Sequence, residues 1–232
     1  MLNDISSQSF QIRLKGEKFK STSRHGKYIF VSLLRKEQSY FHFGMTGSLK
    51  YYKNDEDKPK YSKIIFDFNN GFHLSYVCPR KLGNIGLVKS KEEFIKEKEL
   101  VPDPLTNDFN WKKFNELFTD RLGNIKSALM NQKIIAGIGN VYSDEILFQA
   151  GIYPFTKIRN LSDGDLKNIF KQLKSVIKRI INTNLEKEKF PKTFLVTIRN
   201  DGEKCPKCGG TIKRKKYSNR SAYYCKKHQK KK

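Results

Sequence analysis

Between residues 28 and 77 the chain runs in short apolar segments broken by turn residues. Residues 28–34, 40–43, 48–52, 63–68 and 72–77 are rich in β-branched and aromatic side chains, and Gly44 to Gly47, the polar stretch 54–59 and Asn69-Asn70-Gly71 separate them. Short strands with turn signals at this spacing predict an antiparallel sandwich or barrel. From about residue 91 to 182 the period becomes helical, most clearly over 108–118, 124–132, 140–150 and 162–181. In the last of these, Leu166, Ile169, Phe170, Leu173, Val176, Ile177 and Ile180 form a wide apolar stripe that predicts a core-facing helix. Ser162, with Asp165 three residues on, predicts its N-cap in a variant of the capping box. A small strand-rich end is expected from 193 to 224, so the fold class is α+β.

The 232 residues are enough to bury a real core in two small domains or one large one. Charge changes the picture more. Lys and Arg number 47 against 23 acids, a formal net charge of +24. That excess favours a polyanionic partner, with nucleic acid first and an anionic membrane surface second, against a bland reading of solvated lysines. No apolar run approaches the 18 or so residues of a transmembrane helix, and the N-terminus has no signal-peptide core, so a cytoplasmic, nucleoid-associated protein is expected.

Three of the four cysteines fall in the last 28 residues. Cys205-Pro-Lys-Cys208 is followed after 16 residues by Cys225-Lys-Lys-His228. Two such half-sites flanking a short hairpin have the spacing of one tetrahedral Zn2+, and four protein ligands close the site and make it structural. The remaining thiol, Cys78, reads as an ordinary half-buried cysteine.

Residues 124–132 lead through the glycine-bearing stretch 133–139 to a second helix closed by Gly151, with Asn140 as its expected N-cap. A turn of this kind leaves backbone N–H groups facing outward, a ready phosphate site, although a generic helical hairpin has the same pattern. The segment Ala136-Gly-Ile-Gly-Asn-Val-Tyr-Ser-Asp-Glu-Ile-Leu-Phe-Gln-Ala-Gly-Ile152 resembles the helix-two-turn-helix signature of the formamidopyrimidine-DNA glycosylase and endonuclease VIII family. So do, in the family's order, His42-Phe-Gly-Met-Thr-Gly-Ser-Leu49, Cys78-Pro-Arg-Lys-Leu-Gly83, Pro102-Asp-Pro-Leu105 and Arg220-Ser-Ala-Tyr-Tyr-Cys225.

The resemblance implies an N-terminal antiparallel β-sandwich over residues 1–100, a helix-two-turn-helix domain over 101–190, and a zinc-finger hairpin with a basic tail over 191–232. It implies a monomer that binds double-stranded DNA containing damaged bases or abasic sites, as a DNA glycosylase with AP-lyase activity in base excision repair. Asn140 and Arg220 would hold phosphates flanking the lesion, and Lys60 would reach phosphate or the opened sugar. Met45, Arg80 and Leu82 would fill the hole left by an everted nucleotide, in keeping with the physics of base flipping. On the residues alone, Met45 and Leu82 fit a core equally well, and Lys60 is one lysine in a polar loop.

The departures bear on chemistry. The family's nucleophile is an N-terminal proline followed by glutamate, whereas this sequence begins Met1-Leu-Asn-Asp4 and its first proline is Pro59. The family's first strand and proline-bearing helix have no evident counterpart. Either the start is internal to a longer reading frame or the protein is a degenerate relative, and Lys60 is then the nearest candidate for weak catalysis. Residues 182–197 are short and Lys/Glu-rich, closer to the endonuclease VIII branch. The rival readings are a non-catalytic DNA-binding or damage-sensing module and a zinc-ribbon RNA-associated factor.

Overall fold

In the computed structural model, which describes residues 1–217 and 219–232, the aromatic strands pair into two antiparallel sheets within a unit spanning Met1–Glu99. Strands β1 (Phe19–His25), β2 (Tyr28–Leu33), β3 (Gln38–His42) and β7 (Asn84–Val88) form one sheet in the order β1-β2-β3-β7. Strands β4 (Ser48–Tyr52), β5 (Ser62–Asp67) and β6 (His73–Val77) form the other in the order β4-β6-β5. Phe10, Val31, Phe41, Phe66, Tyr76, Cys78 and Ile85 make up the core of this unit. Each such side chain taken fully from water contributes roughly 1.5–3 kcal/mol. Cys78, expected to be half-buried, is fully enclosed at 1 % exposure.

The other face of the first sheet is covered as well. Helix α2 (Lys91–Glu97) sets Phe94 against Tyr28, Phe30 and Tyr40, with ring centroids 4.9, 5.4 and 4.6 Å apart. Two buried faces explain why β2 reads as a near-continuous apolar run rather than an alternating one. Helix α1 (Ser7–Leu14) was not legible from the pattern, because it buries only Phe10; Ser6 caps it by accepting from Ser9 N at 3.1 Å.

A second unit, Leu100–Lys232, holds both the helical segment and the cysteine-rich end. Helices α3 (Trp111–Phe118), α4 (Ile125–Met130), α5 (Asn140–Ala150) and α6 (Asp163–Asn182) pack around Phe114, Phe118, Ile125, Leu129, Ile146 and Leu147. The predicted stripe of α6 supplies Leu166, Ile169, Leu173, Val176 and Ile180 to that core. Its capping box is present, with Ser162 Oγ accepting from Asp165 N at 3.2 Å and Asp165 accepting from Ser162 N at 3.1 Å.

Strands β8 (Ile212–Tyr217) and β9 (Arg220–Cys225) form the terminal hairpin. The strand-rich end expected over 193–224 is confined to this hairpin, and the segment opens with a 3-10 turn at Leu195–Ile198. Leu195 is drawn into a small core with Phe148, Cys205, Ile212 and Cys225. Val196 N donates to Glu145 Oε2 at 2.8 Å, which fixes the turn in place. Among the described residues no helix is long and apolar enough to cross a membrane.

Candidate nucleic-acid interface

In the first unit, two loops touch through their backbones. Gly44 has φ 59°, and a Cβ there would lie 2.6 Å from the Leu82 carbonyl carbon. A Cβ on Gly83 would lie 2.0 Å from the Tyr76 hydroxyl and 2.4 Å from His42 O. No larger residue fits at either position without moving backbone, so the glycines of the two sequence motifs exist to let the loops meet. The contact brings Met45, Arg80 and Leu82 together on the surface. Met45 is 71 % exposed and Leu82 52 %, which rules out a core role. Arg80 Nη1 lies 3.6 Å from Met45 Sδ. Lys60 belongs to the adjoining connection: its neighbour Tyr61 accepts a hydrogen bond from Cys78 N at 3.2 Å. Lys60 itself is exposed, its Nζ 5.3 Å from the Tyr61 ring.

In the second unit, one side chain shapes the loop between α4 and α5. Gln132 Nε2 donates to Met130 O at 3.0 Å and Ile138 O at 2.8 Å, and its Oε1 accepts from Gly137 N at 3.0 Å. Asn140 does not cap α5. The N-cap is Gly139, without a side-chain cap, because the Asn140 amide turns away to donate from Nδ2 to Ser221 O in β9 at 3.0 Å. Its Oδ1 is buried without a hydrogen-bond partner among the described residues. Arg220 begins β9 on the exposed side, with Nη1 3.6 Å from Met130 Sδ. With Ser127, Met130, Asn131, Gln132 and Tyr217 it lines an open cavity of about 450 Å³. The structure therefore joins Asn140 to the strand that carries Arg220, as the sequence did not foretell.

Beneath this pocket lies a cluster of charges that the sequence reading missed. Lys126 Nζ donates to Asp144 Oδ1 at 2.5 Å, to Ser143 Oγ at 3.1 Å and to Asn140 O at 3.3 Å. Arg199 Nε and Nη2 donate to Asp144 Oδ2 at 3.1 and 2.6 Å. The side chains of Asp144 and Lys126 are 0 % and 3 % exposed. Burial pushes the Asp144 carboxyl up and the Lys126 ammonium down, and their mutual attraction opposes both shifts. Two cationic side chains donate to Asp144, which favours its charged form against the effect of burial. The sequence signal was Asp144-Glu145 set in the apolar run of α5.

At the other end of the hairpin, the sulfurs of Cys205, Cys208 and Cys225 lie within 4.8 Å of one another, with Cys208 Sγ and Cys225 Sγ 3.6 Å apart. Zn–S bonds of about 2.3 Å in a tetrahedron put sulfurs roughly 3.8 Å apart, so the cluster fits zinc. Burial pushes the Cys205 thiol up to about 11, so a nearby cation is needed to make it a thiolate at neutral pH. His228 stands outside that set of sulfurs: its Nε2 is 2.8 Å from Phe148 O.

Comparisons with known proteins follow the same three segments. Residues 1–85 match the family model for the formamidopyrimidine-DNA glycosylase N-terminal domain, 100–191 the model for its H2TH domain, and 202–227 the model for a zinc finger found in FPG and IleRS. A formamidopyrimidine-DNA glycosylase of Prochlorococcus marinus strain NATL1A is 33 % identical, over 94 % of this chain and 84 % of its own length. One of Zymomonas mobilis is 32 % identical, over 93 % and 83 %. A complex of Lactococcus lactis Fpg with abasic-site DNA superimposes with a TM-score of 0.85 at 24 % identity, covering 97 % of this chain and 88 % of that one. A second complex of the same protein, bound non-covalently to AP-site DNA, gives 0.83 at 25 % identity, over 96 % and 86 %. The cysteine cluster and the matched finger together identify a structural zinc site.

Proposed function

This chain belongs to the formamidopyrimidine-DNA glycosylase family, and on that premise we propose that it binds duplex DNA at damaged or abasic positions in base excision repair. The observation that carries the reading is the exposed Met45–Arg80–Leu82 cluster. Two apolar side chains held in water by a tight glycine contact are costly unless something covers them. An apolar wedge beside a guanidinium suits the gap in a base stack, where the two can replace the lost stacking. Arg220, which lines the pocket beside α4, and Asn140, bonded to the next residue of β9, take backbone phosphates: the guanidinium supplies charge and paired donors, and Asn140 Nδ2 has a second N–H beyond the one given to Ser221.

Zinc is held by Cys205, Cys208 and Cys225, and we assign the fourth position to His228. Donation from Nε2–H to Phe148 O leaves Nδ1 with its lone pair, the tautomer a metal ligand needs. The ion supplies folding energy to the hairpin and no chemistry.

For the chain's own chemistry, the family's Pro-Glu pair does not occur in the sequence, and of the amines near the wedge, Lys60 and Lys81, Lys60 is the one the resemblance points to. The exposed wedge serves a second reading as well, a binding or damage-sensing module, because covering Met45 and Leu82 requires DNA but no chemistry.

The test is the affinity for a duplex carrying a tetrahydrofuran abasic analogue against the same duplex intact. Preference for the abasic duplex by about tenfold or more is expected, or roughly 1.4 kcal/mol. Met45→Ala and Leu82→Ala should shrink that preference while leaving affinity for intact duplex in place. Equal affinity for the two duplexes would overturn the reading.

A further inference from the structure

Resting on the phosphate pocket just described, a deeper question is what holds Asn140 and Arg220 at the right separation, since one starts α5 and the other starts β9. Asp144 lies one turn along α5 from Asn140 and collects donors from three other places. These are Lys126 of α4, Arg199 from the turn ahead of the zinc ligands, and Tyr223 N of β9, the last at 3.2 Å. Arg199 reaches further. Besides its two bonds to Asp144, Nη2 donates to Ser221 O at 3.3 Å, the same carbonyl that accepts from Asn140 Nδ2. Its guanidinium lies over the Tyr223 ring, 4.3 Å from the centroid.

One planar group thus binds α5 through Asp144, and β9 through both the carbonyl next to Arg220 and the ring two residues beyond it. Stability alone does not call for this arrangement, because well-packed apolar residues often serve as well as a buried ion pair. Geometry does. A guanidinium that gives two N–H groups to one carboxylate oxygen and stacks on a ring at once fixes position and orientation together, which a lysine ammonium cannot do. We propose that Arg199 is a positioning residue for the phosphate pocket, acting on DNA through Arg220 and Asn140 without touching DNA itself.

The test is a double-mutant cycle on the full zinc-loaded chain, using a fluorescent duplex with a tetrahydrofuran site over a series of salt concentrations. Arg199→Ala is expected to weaken binding about tenfold and to lower the salt slope by about one, the signature of one lost phosphate contact. Zinc content should be unchanged. Arg199→Ala combined with Arg220→Ala should lose clearly less than the product of the two single losses, because part of the Arg199 effect runs through Arg220. Arg199→Lys should not rescue. Losses that multiply in the double variant would overturn the proposal, as would normal binding by Arg199→Lys. If Arg199→Ala fails to retain zinc, the decision falls on Arg199→Lys, which keeps the buried cation. A wild-type chain that does not bind duplex at all would sink the functional reading and this one with it; normal binding by every Arg199 variant sinks this one alone.

Discussion

Lys60 sits at the end of the β4–β5 connection, exposed and tied by its neighbour Tyr61 to the loop that carries Arg80 and Leu82. Beside the wedge it is our candidate to meet an opened sugar, and an exposed side chain is not held in the fixed geometry that covalent attack needs. Borohydride trapping of the chain on abasic DNA is therefore expected to give only traces of covalent adduct, and Lys60→Ala should remove those traces. Robust adduct in the Lys60→Ala variant would point to another nucleophile. At this scale the cysteines were readable because their ligand spacing is local. Met45 and Leu82 could not be assigned to core or surface from sequence, since both readings place an apolar residue near a glycine. Asp144 and Arg199 were beyond reach for another reason: their partners lie 18 to 79 residues away, and only folding brings such charges together.

Among the elements, the ones read correctly are those whose own pattern carries their burial. The α6 stripe and its Ser162–Asp165 cap are visible because one face is wet and one dry. Strand β1 was missed because five of its seven residues are exposed, so the ladder to β2 holds it rather than any apolar alternation. Strand β7 and helix α1 are short, and each adds few apolar side chains to the core. The terminal hairpin depends on more than its strands, since β8 buries only Ile212. Zinc supplies what that small core lacks. Chelation is expected to melt the hairpin, as followed by loss of amide exchange protection in β8 and β9, and to release the strand carrying Arg220 from Asn140. Cys208→Ser should lower zinc content to well below one per chain. His228→Ala should weaken zinc retention, and His228→Cys should preserve it. Full retention in Cys208→Ser would remove the assigned site.

At the scale of the whole molecule, +24 on 232 residues dominates everything that happens at a distance. Such a charge brings polyanions in fast and holds them by releasing counterions, whatever their sequence. On our proposal, the exposed wedge and the phosphate pocket then decide where on the duplex the chain stops. The measurement that bears most directly on this account is the dissociation constant for an abasic-analogue duplex between 50 and 200 mM salt. If about six to ten phosphates are contacted, affinity is expected to fall roughly 10³- to 10⁵-fold across that range. An affinity that barely changes with salt would contradict the nucleic-acid reading at its root.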